Sequence, residues 1–472
     1  MQDIKKAGRV LKVFLAVFIC RILYFFGAKV GRGSSLPGKI VLKIFPDVLL
    51  RLKLPETIIA VTGSNGKTST AELIKHVLEA SGKSVGWNHE GSNQTEGVAT
   101  LLLRVSDFRG VVKRDAIVME CDERYTKKIF ENVKPSVLLV TNLCRDQLTR
   151  NGHPEFIEDC IRAAIDVVET GSGNRKTKLV LNADDPYVTA LAVRQGASVG
   201  VAFCDTYTGP LSYGLNPASG TSARTGMYDD GAFCPVCKER MEYSYRITGH
   251  YGSYKCTSCG LKRSDPDVEA TLHKTAAVFY LTFNENNDNK LKTVLPSVTG
   301  AYNFCAAVAA VNAAGININD AINALDGYEL KSGRVTTLSW DKPVGLLLLS
   351  KHENSLAYNC SLSWIVEQQK PCTVIVLVDS ISRKYYTSET SWFWDIDFDL
   401  LTDNNVKRIV LSGRYVNELA ARFAMSAVDN SKIEYIADPD DLGEYLKRSG
   451  KGEIYAVTCF SDKAKLLKAF DG

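Results

Sequence analysis

The chain has 472 residues, 45% hydrophobic and 23% charged, with a net charge of +4. That length suggests two or three domains, and the composition is ordinary for a soluble globular chain with a sizeable core. The small net charge gives no argument for nucleic acid as a partner, and 13 scattered cysteines, an odd number, exclude a secreted disulfide framework and point to a reducing cytosol.

Residues 1–50 form a basic, apolar leader. Lys5, Lys6, Arg9 and Lys12 precede an unbroken apolar run over 13–20, which Arg21 interrupts. A membrane-spanning helix needs ~20 apolar residues, so this run is too short. A signal peptide would end in a small-residue cleavage site, which does not follow. Two readings stand: a helix packed on the protein's own body, or a basic amphipathic helix touching the membrane surface. The leader contains a turn at Ser34-Ser35-Leu36-Pro37-Gly38.

From residue 51 to 330 the pattern is that of an α/β domain. Apolar runs at 57–61, 116–120, 137–141, 178–182 and 199–203 read as parallel strands with helical segments between most of them, the first over 68–81. The stretch 207–267 is rich in Gly, Ser, Tyr and Cys, lacks helical periodicity and reads as an insertion. The α/β pattern resumes with a strand near 276–284 and a helix at 302–314. Residues 331–472 form a second, smaller α/β unit, with strands expected at 345–349, 373–379, 408–412 and 454–457 and helices at 416–425 and 439–448.

Gly63-Ser64-Asn65-Gly66-Lys67-Thr68 lies between the first strand and the first helix. Glycines there let backbone N–H groups wrap a phosphate, and the helix N-terminus adds its positive dipole end. Lys67 is placed to reach the β/γ-phosphates and the Thr68 hydroxyl to coordinate Mg²⁺. The usual phosphate loop has four residues between its glycines; here there are two.

Cys234-Pro235-Val236-Cys237 is followed, after 18 residues, by Cys256-Thr257-Ser258-Cys259. Two such knuckles are a strong zinc-ribbon pattern. Cys234, Cys237, Cys256 and Cys259 would complete a tetrahedron around Zn²⁺, leaving no open position, so the role expected is structural. The ribbon spans about 225–267.

The run Thr62-Gly63-Ser64-Asn65-Gly66-Lys67-Thr68-Ser69-Thr70 resembles the T-G-[TS]-N-G-K-[TS]-[TS] loop of the Mur ligase superfamily, which joins amines to carboxylates through an acyl-phosphate made from ATP. Gly91-Ser92-Asn93 resembles that family's second glycine turn. Glu120 matches its Mg²⁺-binding Glu, so the resemblance implies Thr68 and Glu120 as Mg²⁺ ligands. Thr141-Asn142-Leu143-Cys144-Arg145-Asp146-Gln147-Leu148 resembles T-N-x-x-x-D-H-L, with Gln147 where many members have a metal-binding His. Asn182-Ala183-Asp184-Asp185-Pro186 resembles N-x-D-D-P. Gly300-Ala301-Tyr302-Asn303 resembles G-x-[HY]-N, whose Asn contacts adenine. Arg334 matches the family's G-R at the domain junction, and Lys351 aligns with a Lys of the last domain. The implied nucleotide site is Gly63, Ser64, Asn65, Gly66, Lys67, Thr68, Ser69, Asn303 and Arg334.

The four-cysteine ribbon, the Gly33–Lys39 stretch and Ser391-Trp392-Phe393-Trp394-Asp395-Ile396-Asp397-Phe398 are similar to the MurT-like subunits of lipid II isoglutaminyl synthase. The fold implied is a Mur ligase central ATPase domain with an inserted zinc ribbon, followed by a smaller Rossmann-like domain. The activity implied is ATP- and Mg²⁺-dependent amidation of the D-glutamate α-carboxylate in the lipid II stem peptide, in the cytoplasm or at the inner face of the membrane. Ammonia would come from a GatD-type glutamine amidotransferase in a heterodimer. The six histidines form no recognisable Cys-nucleophile motif, which agrees with a separate glutaminase. Lys67 and Glu120 are the implied catalytic groups, and Asp395 is the candidate to complete the partner's Cys–His pair. The last domain departs from the pattern at Lys351-His352-Glu353-Asn354-Ser355, at Tyr386-Thr387-Ser388-Glu389 and at Tyr455-Ala456-Val457-Thr458. Two other readings remain: a Mur-type ligase that adds an amino acid to a wall precursor or folate, and a catalytically silent zinc-stabilised scaffold.

Overall fold

Apolar strands without alternation need cover on both faces, and the computed structural model supplies it. It describes residues 2–29, 33–88, 92–147, 151–170, 176–193, 211–218, 229–275, 278–283, 290–295, 297–331, 335–340, 342–380, 389–449 and 452–470. In the first part of the chain the strands are β1 (Thr57–Thr62), β2 (Val85–Trp87), β3 (Ala116–Glu120), β4 (Val137–Val140), β5 (Lys178–Asn182), β6 (Leu211–Pro217), the hairpin β7 (Met241–Thr248) and β8 (Tyr251–Cys256), then β9 (Val268–Thr275), β10 (Val278–Phe283) and β11 (Lys290–Leu295).

Nine of these make one sheet in the order β11-β10-β9-β6-β5-β4-β1-β3-β2. It is parallel from β2 to β9 and antiparallel at its β10 and β11 edge. The helices Lys67–Ala80, Val298–Ala313 and Ile318–Leu325 cover one face; Thr95–Val105, Pro154–Thr170 and the two leader helices cover the other. Strands β3 and β4 are buried at every position.

The second sheet has the order β12-β13-β17-β14-β15-β16, built from β12 (Val335–Ser339), β13 (Pro343–Ser350), β14 (Cys372–Leu377), β15 (Val406–Ser412), β16 (Ile433–Ile436) and β17 (Glu453–Cys459). All its pairs are parallel except β12 with β13. The helices Val416–Ala424 and Leu442–Ser449 stand where the sequence places them.

Three expectations need correction or completion. The stretch 207–267 is not wholly an insertion: β6 belongs to the main sheet, between β5 and β9. Gly214 and Pro217 hide this strand in the sequence. Gly214 is needed because a Cβ there would lie 2.7 Å from the Asp184 carboxylate, which crosses the sheet to accept the Leu215 N–H at 2.8 Å. The α/β pattern therefore resumes at Val268, not near 276. The expected strand at 199–203 lies outside the described residues.

Arg21 does not end the leader helix, which runs Gln2–Lys29. Its guanidinium reaches the carbonyl of Ser106 at 2.6 Å and that of Arg104 at 3.3 Å, so the charge is satisfied without breaking the helix. Val13, Ala16, Val17 and Cys20 are buried against the helices Leu36–Ile44 and Thr95–Val105. One face of the leader is thus packed on the protein's own body.

Leu139 of β4 is fully buried at the centre of the first sheet. Replacing it with Ala should destabilise the first α/β unit by about 2–5 kcal/mol, the usual range for a buried leucine truncation. Chemical denaturation read by circular dichroism measures this.

Candidate active site

The turn after β1 is shaped by two close approaches. Gly63 has φ +120° and Gly66 φ +83°, values that favour glycine. A Cβ on Gly63 would lie 2.4 Å from Thr141 Oγ1, and one on Gly66 2.1 Å from Asn303 Oδ1. The end of β4 grips the turn from the other side. Ser64 N donates to the Asn142 carbonyl at 2.8 Å, Asn65 N to Asn142 Oδ1 at 2.9 Å, and Thr141 Oγ1 to the Asn65 carbonyl at 2.7 Å. Gly66 opens the following helix without a side-chain cap. First-turn N–H groups of this kind, together with the helix dipole, suit a phosphate.

Lys67 sits just inside that helix and is buried. Its Nζ is 2.5 Å from Glu123 Oε1 and also donates to the Gly63 carbonyl. Burial would lower the Lys67 pKa, but Glu123 and Glu120 outweigh it, and the ammonium is held above the ordinary lysine value. Thr68 Oγ1 donates to Glu120 Oε2 at 2.9 Å. Glu120 is itself fixed by Asn88, which accepts its backbone N–H at 2.8 Å and donates to its carbonyl at 2.9 Å. A hydroxyl and a carboxylate this close, both oxygen donors, fit a hard divalent cation such as Mg²⁺.

The second sheet's unit reaches into this loop. Lys351 Nζ donates to the Ser64 carbonyl at 2.7 Å and stands 3.4 Å from Asp146 Oδ2. Asn354 Nδ2 donates to Asp146 Oδ1 at 2.8 Å and to Asn65 Oδ1 at 3.0 Å. Gln147, with φ +53°, gives its backbone N–H to the Glu353 carbonyl at 3.0 Å. Arg145 Nη1 is 3.1 Å from Asp395 Oδ2, and its Nε 3.4 Å from Asp230 Oδ1. A cavity of about 620 Å³ opens beside the turn, lined among others by Asn65, Asn303, Tyr251, Tyr328, Val335 and Trp364.

Most expected site residues therefore converge. Gly63, Ser64, Asn65, Gly66, Lys67, Thr68, Ser69 and Glu120 form one locus. Asn303 lines the cavity and lies against Gly66 itself, where it also accepts from Thr70 Oγ1 at 3.3 Å. Asp395 is held against Arg145. Arg334 lies outside the described residues, as do Gly91 and Leu148. Asn142 and Asp146, the Asn and Asp of the T-N-x-x-x-D-H-L match, join this locus; Glu123 and Asn354 were not singled out by sequence. Glu123 follows β3, and the C-terminal ends of parallel strands are where α/β sites form; that position was the available signal. Asn354 carried none.

The ribbon is built from two matching knuckles. Lys238 N donates to the Cys234 carbonyl at 2.9 Å and Gly260 N to that of Cys256 at 3.0 Å; Cys234 N and Cys256 N donate to Glu239 and Leu261 at 2.7 Å each. Lys238 and Gly260 both have positive φ, +64° and +78°. The four sulfurs lie within 4.8 Å of one another, a convergence that fits one tetrahedral ion. From this base the β7–β8 hairpin extends to the active site. His250 Nε2 donates to the Leu143 carbonyl at 3.0 Å and lies 3.5 Å from Asp185 Oδ1, and Asp185 Oδ2 accepts the Leu143 N–H at 2.7 Å. Tyr254 OH donates to the Ala183 carbonyl at 3.0 Å.

Residues 61–214 match the Mur ligase middle domain and residues 351–462 the MurT ligase C-terminal domain. The chain is therefore MurT-like in both of its α/β units. It is 28% identical, over 98% of its own length and 99% of the other's, to the subunit MurT of a Staphylococcus aureus lipid II isoglutaminyl synthase (glutamine-hydrolyzing). The Streptococcus pneumoniae subunit MurT is also 28% identical, over 96% of this chain and 95% of that one. In fold it is similar to a pseudomurein peptide ligase type C from Methanothermus fervidus, with TM-score 0.65 and 19% identity over 90% of this chain and 80% of that one. A MurF ligase from Thermotoga maritima in complex with ADP gives TM-score 0.58 and 16% identity over 91% and 83%. The α/β architecture with parallel sheets is thus the Mur ligase fold. The MurT-like chain keeps the Mur loop, Glu120 and the N-x-D-D-P turn in one place, and Asp185 of that turn caps the helix Pro186–Ala190.

His250 is buried and would lose its charge to desolvation, but Asp185 raises its pKa above the ordinary imidazole value. A raised folded value means the pair's stabilisation is full below the unfolded pKa of ~6.5 and is lost as pH rises through the folded value. The melting temperature of His250→Gln should therefore fall further below the parent at pH 6 than at pH 9. Thermal melts at the two pH values test the sign.

Proposed function

We propose that this MurT-like chain is the ATP-dependent amidating subunit of a lipid II isoglutaminyl synthase, working in the cytoplasm. The observation that carries the reading is the locus formed by Lys67, Thr68 and Glu120 around the glycine turn, beside a cavity of about 620 Å³. Its similarity to the S. aureus subunit over 98% of the chain supplies the reaction class.

Lys67 and the backbone of residues 63–69 would bind the triphosphate, and Mg²⁺ held by Thr68 and Glu120 would supply charge neutralisation. Phosphoryl transfer needs positioning and electrostatics more than covalent help. The α-carboxylate of D-glutamate attacks the γ-phosphorus, the bond to ADP breaks, and an acyl-phosphate forms. Ammonia then attacks the acyl carbon, phosphate leaves with its bridging oxygen, and a proton is lost, giving D-isoglutamine. Glu123 sits at Lys67 Nζ and would be replaced there by phosphate oxygens. Asn303, against the loop and lining the cavity, is placed to meet the nucleotide, and Arg334 is expected at the same junction.

The ammonia source proposed is a GatD-type glutaminase in a heterodimer. Cys459 lies 3.3 Å from both Asp462 Oδ2 and Ser461 Oγ, with Ser461 2.8 Å from His352. Burial pushes its thiol up to about 12, the opposite of an activated nucleophile. Asp395 would reach a partner's Cys–His pair only if its ion pair with Arg145 opened. We read the six-stranded unit as Rossmann-like and the β7–β8 knuckles as a zinc ribbon holding one structural Zn²⁺.

The reconstituted pair should convert lipid II to its carboxamide, detected by mass spectrometry, only with both ATP and glutamine. Lys67→Ala should lower kcat/KM at least about 100-fold, the range for removing one preorganised charge-stabilising donor. Amidation by Lys67→Ala at the parental rate would refute the mechanism. Amino-acid-dependent ATP hydrolysis without a partner would favour an amino-acid-adding ligase instead.

Metal analysis should return one zinc per chain, and Cys237→Ser with Cys256→Ser should reduce it to background. Because the hairpin tip contacts both Leu143 and Asp185, the same double variant should lower the melting temperature and weaken nucleotide binding, measured by scanning calorimetry and titration with ATP.

A further inference from the structure

The leader helix is apolar on two opposite faces. Val13, Ala16, Val17 and Cys20 point into the protein and are 0–4% exposed. About half a turn away, at the helical spacing of 3.6 residues, Leu11, Phe14, Phe18, Ile22, Phe25 and Phe26 are 40–62% exposed. Phe108, from the turn after the helix Thr95–Val105, extends the stripe by packing on Phe14 with ring centroids 5.0 Å apart. A surface helix normally turns polar residues outward, and a helix apolar all round is normally buried. This one is neither.

Charge is distributed to match. The first 45 residues hold nine lysines and arginines against one aspartate, whereas the whole chain holds 57 against 53. The positive charge is therefore concentrated here and the rest of the chain is net negative. Lys12 and Arg21 stand on opposite flanks of the apolar stripe, and Lys29 lies over the Phe25 ring, 4.7 Å from its centroid. Lys39 and Lys43 are exposed on the next helix, with Ile44 beside them.

We propose that this stripe docks on the surface of an anionic lipid bilayer, the helix lying in the interface with its aromatic side chains among the acyl chains and its flanking bases at the headgroups. The length and apolarity of Val10–Lys29 would also suit a span. A span would strip Val13, Ala16, Val17 and Cys20 from the core and Arg21 from the Ser106 carbonyl. A second copy of this chain on the same face would bring like-charged flanks together around a twofold axis. A bilayer avoids both costs. The assignment stands apart from the reaction proposed above, since it rests on the leader alone.

The full-length chain is floated with vesicles of phosphatidylcholine containing one quarter phosphatidylglycerol, and with vesicles of pure phosphatidylcholine. Binding should be found on the anionic vesicles and weaken with salt. The variant Phe14→Ser, Phe18→Ser, Phe25→Ser should lose at least about tenfold in vesicle affinity while melting at the parental temperature. A second variant, Lys12→Glu, Lys39→Glu, Lys43→Glu, leaves the apolar stripe intact and should lose the preference for anionic lipid. Absence of binding, equal binding to both vesicles, resistance to alkaline carbonate extraction as for a spanning helix, or a dimer in light scattering that the Phe variant converts to monomer would each overturn the proposal.

Discussion

The buried ion pair of Lys67 with Glu123 is the constraint on which the site depends. An isolated ammonium in a low-dielectric interior is costly, and a close, hydrogen-bonded partner is what makes it tolerable. Glu123 follows β3 and Lys67 follows β1, strands that pair in register over Thr57–Val61 and Ala116–Glu120. The sheet itself therefore sets the distance between charge and countercharge. Lys67 is held extended along the inside of its own turn, protonated, at the mouth where a polyanion would arrive.

The same turn is where the two α/β units meet. Lys351 and Asn354 come from the end of β13 and the start of the helix Ser355–Glu367, and they bond to Ser64, Asn65 and Asp146. Arg145 and Asp395 add an ion pair across the same boundary. These polar contacts are half-buried or buried, so they are weakly screened and directional. The glycine turn is thus also part of the polar seam between the two units.

The four-cysteine ribbon is more than a surface ornament of the sheet. Its hairpin tip places His250 under the Asp185 turn and Tyr251 in the cavity wall, while Arg246, beside the tip, pairs with Asp229 at 2.7 and 2.8 Å. Beside it, Asp184 gathers Arg263, Tyr302 and the Leu215 N–H around one buried carboxylate, whose pKa burial raises despite these partners. Short strands with knuckle turns have little apolar area of their own, which is why such an element leans on a cross-link and on the body it touches.

Local physics made much of this legible before any coordinates. Continuous apolar runs marked β1, β3, β4 and β5, because strands covered on both faces need apolar residues at every position. The glycine spacing before Lys67 and the paired cysteines marked the tight turn after β1 and the convergence of four sulfurs, since phosphate wrapping and tetrahedral thiolate ligation would each dictate a short local pattern. The eight strands β2, β6 to β9, β11, β12 and β16 were not legible. β7 and β8 belong to the ribbon, β2, β11, β12 and β16 are sheet edges, and β6 and β9 lie inside the main sheet, β6 interrupted by Gly214 and Pro217; the pairing of all of them is decided by distant neighbours. The leader's helix was cut short on the sequence because Arg21 looks like an interruption until the Ser106 carbonyl is seen to receive it. What the sequence alone determined was the α/β class, the glycine turn and the sulfur quartet, all set by contacts within a few residues. Only the tertiary structure decided that Glu123 neutralises Lys67, that Asn354 and Lys351 close on the turn from some 290 residues away, and that Asp395 faces Arg145, because those choices depend on which strand ends and which loops the folded sheets bring within hydrogen-bonding reach.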